Sequence, residues 1–266
     1  MRAAVIQMTS VPDLEHNLAR AAHWVARPAD AGAELVALPE NFPFLREEDA
    51  GPNPVAQGLD GPVVDFLRDQ AKRHRVVLAG GTLPEAIPGE ERVYNTSVVV
   101  DSDGTICGVY RKIHLFDVAL SRATHQESLY VAPGDEVAVA ETSLGILGLS
   151  FCYDLRFPEL YRALVDRGAR ILLVPAAFTV PTGSDHWEVL IRARAIESQT
   201  FVLAAAQYGV HTPRRRSYGR SMIVDPWGLV LCTVADGEGV GLAELDFDRL
   251  EQVRERLPAL RHRRLS

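Results

Sequence analysis

The sequence predicts an α/β fold in which buried strands alternate with helices and β-hairpins are inserted between them. Two observations carry this prediction. Short, almost wholly apolar runs alternate along the chain with longer stretches of helical periodicity, the pattern of strands covered by helices. Elsewhere the intervening helix is replaced by a turn, as at Asp101-Ser102-Asp103-Gly104 and Asp225-Pro226-Trp227-Gly228, which signals antiparallel pairing.

In order, residues 3–8 form the first strand. Asp13 caps a helix running to about residue 31, with Leu14, Leu18, Ala21, Ala22 and Val25 on one face. Residues 35–38 are the next strand. Asp60-Gly61-Pro62 opens a second helix, with Pro62 in the first turn and Val63, Phe66, Leu67 and Ala71 at helical spacing. Residues 76–80 are a buried strand, and 94–100 with 105–110 form a hairpin. Residues 137–140 and 146–151 flank a turn at Gly145, a helix over 156–167 stops at Gly168, and 171–174 is a strand. The helical stretch 185–199 precedes the strand 201–206, and the turn after Asp225 joins 221–224 to 229–234. Asp246 caps a last helix from 247 to about 257, which Pro258 ends. With no fixed-period repeat, low-complexity tract or obvious linker, residues 1–266 are expected to form one domain.

Composition narrows the function classes. Hydrophobic content of 47% and charged content of 24% are ordinary for a soluble globular protein. A net charge of -7 argues against a nucleic-acid partner, which needs a basic face. Arg214-Arg215-Arg216 and Arg261-His262-Arg263-Arg264 are short basic clusters, read as solvated segments. Three cysteines without a CxxC pair imply free thiols and a reducing compartment. No signal peptide is read at the N-terminus, and the apolar stretch at 171–180 is too short to span a bilayer. The expected setting is cytoplasmic, with no membrane partner.

Three residues stand out by position. Cys152 lies where an apolar strand gives way to a helix, in Ser150-Phe151-Cys152-Tyr153-Asp154. Unpaired N–H groups and the helix dipole there favour a thiolate and a developing oxyanion. Lys112 follows another apolar run and is one of only two lysines among 28 basic residues; a compact ammonium serves a narrow pocket that a guanidinium cannot enter. Glu40 ends the strand before it, well placed for a pocket carboxylate and general base. In open α/β sheets, sites form at strand carboxyl ends. A nucleophile, a cation and an acid/base group meeting there suffice for acyl transfer.

Leu38-Pro39-Glu40-Asn41, Tyr110-Arg111-Lys112-Ile113-His114-Leu115 and Cys152-Tyr153-Asp154-Leu155-Arg156-Phe157-Pro158-Glu159 resemble, in order and spacing, the Glu, Lys and Cys motifs of the nitrilase superfamily of carbon–nitrogen hydrolases. The resemblance runs from about Ala3 to Leu265. It implies a four-layer α-β-β-α sandwich, paired through the face carrying the Cys-bearing helix into a homodimer or higher homo-oligomer. It implies an amide substrate, with no cofactor or metal. It makes Glu40, Lys112 and Cys152 catalytic, Glu127 a second glutamate that positions the lysine, and the Tyr153 backbone N–H an oxyanion donor.

The stretches His186 to Glu197, Ala204 to Gln207 and Ser217 to Gly228 resemble most the branch of deaminated glutathione amidases, ahead of the sister omega-amidases that act on α-ketoglutaramate. In both branches, positions matching Arg156 and Thr182 are thought to hold the α-keto-acid end of the substrate. Arg214 to Arg216 offer a further carboxylate contact. Residues 117–125 depart from the pattern, lacking a Pro-Gly pair. Three rivals are weaker. A Cys-His pair drawing on His114, His125 or His186 leaves Glu40 and Lys112 unexplained; metal hydrolysis lacks ligand spacing; an inactive binding scaffold leaves the complete triad without a purpose.

Overall fold

In the strand Arg2–Gln7, alternate side chains part to opposite faces. Ala3 and Val5 enter one apolar core, and Ala4 and Ile6 enter another. Leu35–Ala37 and Val77–Ala79 divide the same way: Leu35, Ala37, Val77 and Ala79 join the first core, Val36 and Leu78 the second. A strand buried on both faces must be covered twice, and in the computed structural model, which describes residues 1–47, 51–120 and 123–264, it is. On one side α1 (Leu14–Asp30) and α2 (Pro62–His74) pack down through Ala21, Val25, Val63, Val64, Leu67 and Ala71. On the other lies a second sheet, including Ile171, Leu173, Phe201 and Leu203. The second sheet is covered in turn by α3 (Pro158–Asp166) and α4 (Val180–Ser198), through Leu160, Leu164, Trp187 and Ile191. The layers run α-β-β-α, as the resemblance implied.

The two sheets are built alike. In the seven-stranded first sheet, Arg2–Gln7, Leu35–Ala37 and Val77–Ala79 are parallel, with Ala3 opposite Leu35 and Leu35 opposite Val77. In the six-stranded second sheet, Gly145–Leu149, Ile171–Leu173 and Phe201–Ala204 are parallel, with Leu147 opposite Ile171 and Ile171 opposite Phe201. Antiparallel strands flank both sets. One of them, Val93–Val100, pairs with Val77–Ala79 and with Ile106–Arg111. Two reversals make Ile106–Arg111 run in the same sense as the parallel strands, so its carboxyl end emerges at their edge.

The caps form as expected: Asp13 accepts from the His16 N–H at 3.0 Å, and Asp246 from the Arg249 N–H at 3.1 Å, opening α5 (Phe247–Arg256). The helix expected over 156–167 is instead a 3-10 turn, Cys152–Arg156, followed by α3. Pro158 takes the first helical position and disfavours helical geometry at Phe157. α4 starts at Val180, a turn and a half ahead of the expected 185, although Pro181-Thr182-Gly183 reads as a breaker. Pro181 is tolerated in the first turn, and Gly183 lets the Tyr218 side chain approach: a Cβ there would sit 2.4 Å from the Tyr218 Cβ. The strands Leu83–Ala86 and Gly239–Glu244, and the hairpins Asp117–Leu120/Ala123–Gln126 and Tyr208–Thr212/Arg215–Tyr218, are additions to the sequence reading. The stretch 117–125, which departs from the family pattern, thus forms a hairpin, with Ser121 and Arg122 outside the described residues.

Candidate active site

Glu40, Lys112 and Cys152 follow Leu35–Ala37, Ile106–Arg111 and Gly145–Leu149, and the stacked sheets bring these carboxyl ends together. The Glu40 loop is pulled tight against its neighbour. Gly81, at φ +55°, would place a Cβ only 2.0 Å from the Pro39 carbonyl oxygen, so a side chain there would displace the loop. Asn41 takes a left-handed conformation at φ 54°, with its N–H on Thr82 Oγ1 at 2.8 Å. The Glu40 carbonyl receives Gln207 Nε2 at 2.9 Å, and Gln207 also bonds Ser10.

Four groups then converge. Lys112 Nζ lies 2.9 and 2.8 Å from the two oxygens of Glu127 and 3.4 Å from Glu40 Oε1. Glu40 Oε1 also accepts from Asn95 Nδ2 at 3.2 Å, and Glu40 Oε2 from the Ala177 N–H at 2.7 Å. The Glu40 carboxylate and the Lys112 ammonium both act electrostatically on the Cys152 thiol. Glu127 is further held by the Phe116 N–H at 2.6 Å. Glu40, Lys112 and Glu127 are all buried, so the charges act on one another with little screening by water.

Cys152 itself is strained. Its φ of 51° places a non-glycine residue in the left-handed region, a state that persists only when its surroundings over-determine it. Those surroundings are specific. The Cys152 N–H is held by the Pro175 carbonyl at 3.0 Å. Asp154, fully buried, accepts from the Phe151 N–H at 3.0 Å and from the Tyr110 hydroxyl at 2.8 Å, and meets His114 Nδ1 at 2.7 Å. His114 stacks on Phe157 with ring centroids 3.7 Å apart. Asp154 therefore ties the cysteine turn to both sides of Lys112, through Tyr110 and His114.

The electrostatics correct one expectation. Burial pushes the Cys152 thiol well above the usual range, the Glu40 carboxylate pushes the same way, and Lys112 opposes them without prevailing. The short 3-10 turn does not deliver a resting thiolate; the thiol needs its proton taken at the moment of reaction. Burial also acts against the Lys112 ammonium, but Glu127 and then Glu40 outweigh it, leaving the lysine firmly protonated. Burial raises the Glu127 carboxyl, with Lys112 pulling the other way. A carboxylate paired with an ammonium and acting on a protonated thiol can move a proton from sulfur to a leaving group while the ammonium faces a developing negative charge.

The remaining expected residues lie on the cysteine turn and in the first turn of α4. Tyr153 is the second residue of the Cys152–Arg156 turn, where first-turn N–H groups lack a partner within the helix. Arg156 lies 3.4 Å from His186 Nδ1 and over the rings of Tyr153 and Phe178. Thr182, in the first turn of α4, shares a 2.8 Å hydrogen bond with Thr179. His186 follows Thr182 by one turn, so Arg156 and Thr182 meet the same face of α4. The histidines considered as rivals have other partners: His114 has Asp154, His186 has Arg156, and His125 lies against Phe116. Asn95, Gln207, Asp154 and the Ala177 N–H were missed from sequence. The one hint was the polar run Asn95-Thr96-Ser97 within an apolar strand. A solvent-open cleft has Asn95 and Glu127 in its wall beside Arg46 and Arg215.

Comparison with known proteins agrees with this architecture. Residues 2–255 match the carbon-nitrogen hydrolase family. A protein named deaminated glutathione amidase from Synechocystis sp. is 44% identical over 265 residues, covering 98% of this chain and 97% of its own. The crystal structure of Saccharomyces cerevisiae Nit3, a member of branch 10 of the nitrilase superfamily, superposes with a TM-score of 0.88 at 32% identity, covering 100% of this chain and 97% of that one. The Caenorhabditis elegans NitFhit structure also gives 0.88 at 39% identity, covering 99% of this chain, which spans 65% of that protein.

Proposed function

The chain belongs to the carbon–nitrogen hydrolase family, and we propose that its substrate is deaminated glutathione, cleaved to α-ketoglutarate and cysteinylglycine. The observation that carries the mechanism is the Glu40–Lys112 pair, whose charges both act on the Cys152 thiol. Glu40 takes the thiol proton as sulfur attacks the amide carbonyl. Lys112 and the Tyr153 N–H stabilise the oxyanion. Glu40 returns the proton to the leaving amine, a thioester remains, and a water deprotonated by Glu40 releases the acid and restores the thiol. Glu127 keeps Lys112 charged and aimed. Arg156 and Thr182 hold the α-keto acid, for which a guanidinium fork is well suited. The substrate assignment is supported by the 44% identity to the Synechocystis amidase.

In the same reading, residues 1–266 act as one hydrolase domain, and three unpaired cysteines suit a cytoplasmic setting. The active form is a homodimer: Val189 and Ile196 on α4, with Trp227 and Leu229 close by, leave apolar side chains exposed on the outer side of α4. The test of the function is to measure α-ketoglutarate release from deaminated glutathione and from α-ketoglutaramate side by side. A preference for the former supports the reading. A preference for the latter moves the chain to the omega-amidases, and activity on neither refutes both.

A further inference from the structure

We infer that the cleft beside the Lys112–Glu127 pair binds the leaving half of the amide, and that Arg215, with Arg46, receives its terminal carboxylate. The inference rests on the substrate reading above and extends it to the other end of the molecule. A substrate that carries an α-keto acid at one end and a peptide carboxylate at the other needs two cationic contacts. Arg156 and Thr182 are not among the residues that line this cleft. Arg46 and Arg215 are, together with Asn53 and Tyr130.

Three features mark this as a built site. The first is selection within the basic cluster: Arg214 and Arg216 are exposed, whereas Arg215 is half-buried and lines the cleft. The second is rigidity. Arg215 opens the strand Arg215–Tyr218, whose Ser217 bridges Thr179 ahead of α4. Ser217 also bonds the buried His211 at 2.9 Å, and His211 reaches the Ser10 carbonyl at 2.9 Å. Arg46 lies over the Tyr130 ring, 5.4 Å from its centroid, and donates to the Gly51 carbonyl at 3.0 Å. A guanidinium carries five N–H donors, so such a placement is compatible with a carboxylate as well. The third is an acceptor at the inner end. Asn95 donates its amide N–H to Glu40, which fixes its orientation, and its Oδ1 is buried with no hydrogen-bond partner among the described residues. A buried acceptor left open calls for a donor, and the leaving half of a peptide amide brings N–H groups to that place.

The test uses the full chain carrying Cys152→Ala, which removes turnover, and calorimetric binding of two ligands: deaminated glutathione and its analogue with a C-terminal carboxamide. The acid is expected to bind about 10- to 100-fold more tightly than the carboxamide, the range for charge-assisted hydrogen bonds. Arg215→Gln is expected to erase that difference while leaving carboxamide affinity within about twofold. Arg215→Lys, which keeps charge but loses the fork, should fall between, and Arg46→Gln should weaken the acid selectively. Equal binding of acid and carboxamide by the Cys152→Ala parent, or equal loss of both in folded Arg215→Gln, overturns the inference while leaving the substrate reading intact. Failure of the parent to bind either ligand overturns both.

Discussion

Replacing Glu127 by Gln tests how the lysine is held. Glu127 Oε1 receives Lys112 Nζ at 2.9 Å; Oε2 receives Nζ at 2.8 Å and the Phe116 N–H at 2.6 Å. Every neighbour is a donor. A glutamine offers one oxygen and one NH2, so whichever way it turns, an N–H faces an N–H. The substitution also removes the charge that chiefly sustains the Lys112 ammonium, leaving Glu40 at 3.4 Å as the remaining carboxylate contact. Breaking a buried ion pair in this way costs about 3–5 kcal/mol. If that loss falls on the transition state, at about 1.4 kcal/mol per tenfold, kcat drops by roughly 10²- to 4 × 10³-fold. The assay is steady-state hydrolysis of deaminated glutathione, with thermal unfolding to confirm that the variant is folded. A folded Glu127→Gln enzyme with kcat within about threefold of wild type would show that Lys112 is positioned by something else.

Other substitutions probe the same construction. Lys112→Arg keeps the charge, but Nζ is enclosed at 2% residue exposure among two carboxylates and the cysteine turn; kcat should fall at least about 100-fold, and near-normal turnover in a folded protein counts against the oxyanion role. Asp154→Asn leaves a donor facing the Phe151 N–H and Tyr110 hydroxyl or facing His114; kcat and the alkylation rate of Cys152 should both fall about tenfold or more with KM little changed, and an unchanged alkylation rate refutes the positioning role. His211 is held neutral by burial, its pKa lowered from 6.5 to about 4. The unfolded chain therefore takes up the proton first, so stability is retained above pH 6.5 and lost as the pH falls toward 4, by on the order of 3 kcal/mol. Chemical denaturation at a series of pH values reads this directly, and a His211→Gln variant showing the same acid loss would assign it to other groups.

Much of this site was legible because three of its members close apolar strands. The runs before Glu40, Lys112 and Cys152 announce buried strands, and parallel strands place their carboxyl ends together. The sandwich was less accessible. Alternation within a strand such as Arg2–Gln7 is masked when both faces are apolar, so sequence alone shows that it is buried but not that a second sheet covers one side. Glu127 follows a short polar hairpin with no strong pattern, and its place emerged from family likeness. Asp154 was quoted within the cysteine motif, but its purpose lies in partners 40 and 44 residues away. The Ala177 N–H, 137 residues from Glu40, leaves no trace in side-chain chemistry. At Cys152 the N–H groups of the short turn are outweighed by burial and by the Glu40 charge, neither of which the local sequence shows.

The most direct measurement is to quench the enzyme during turnover of deaminated glutathione and identify the covalent adduct by peptide mass. The expected result is one α-ketoglutaryl group on the peptide containing Cys152, absent in Cys152→Ala and lost as product forms. Turnover with no adduct on any cysteine, or an adduct confined to Cys107 or Cys232, would contradict nucleophilic catalysis by Cys152.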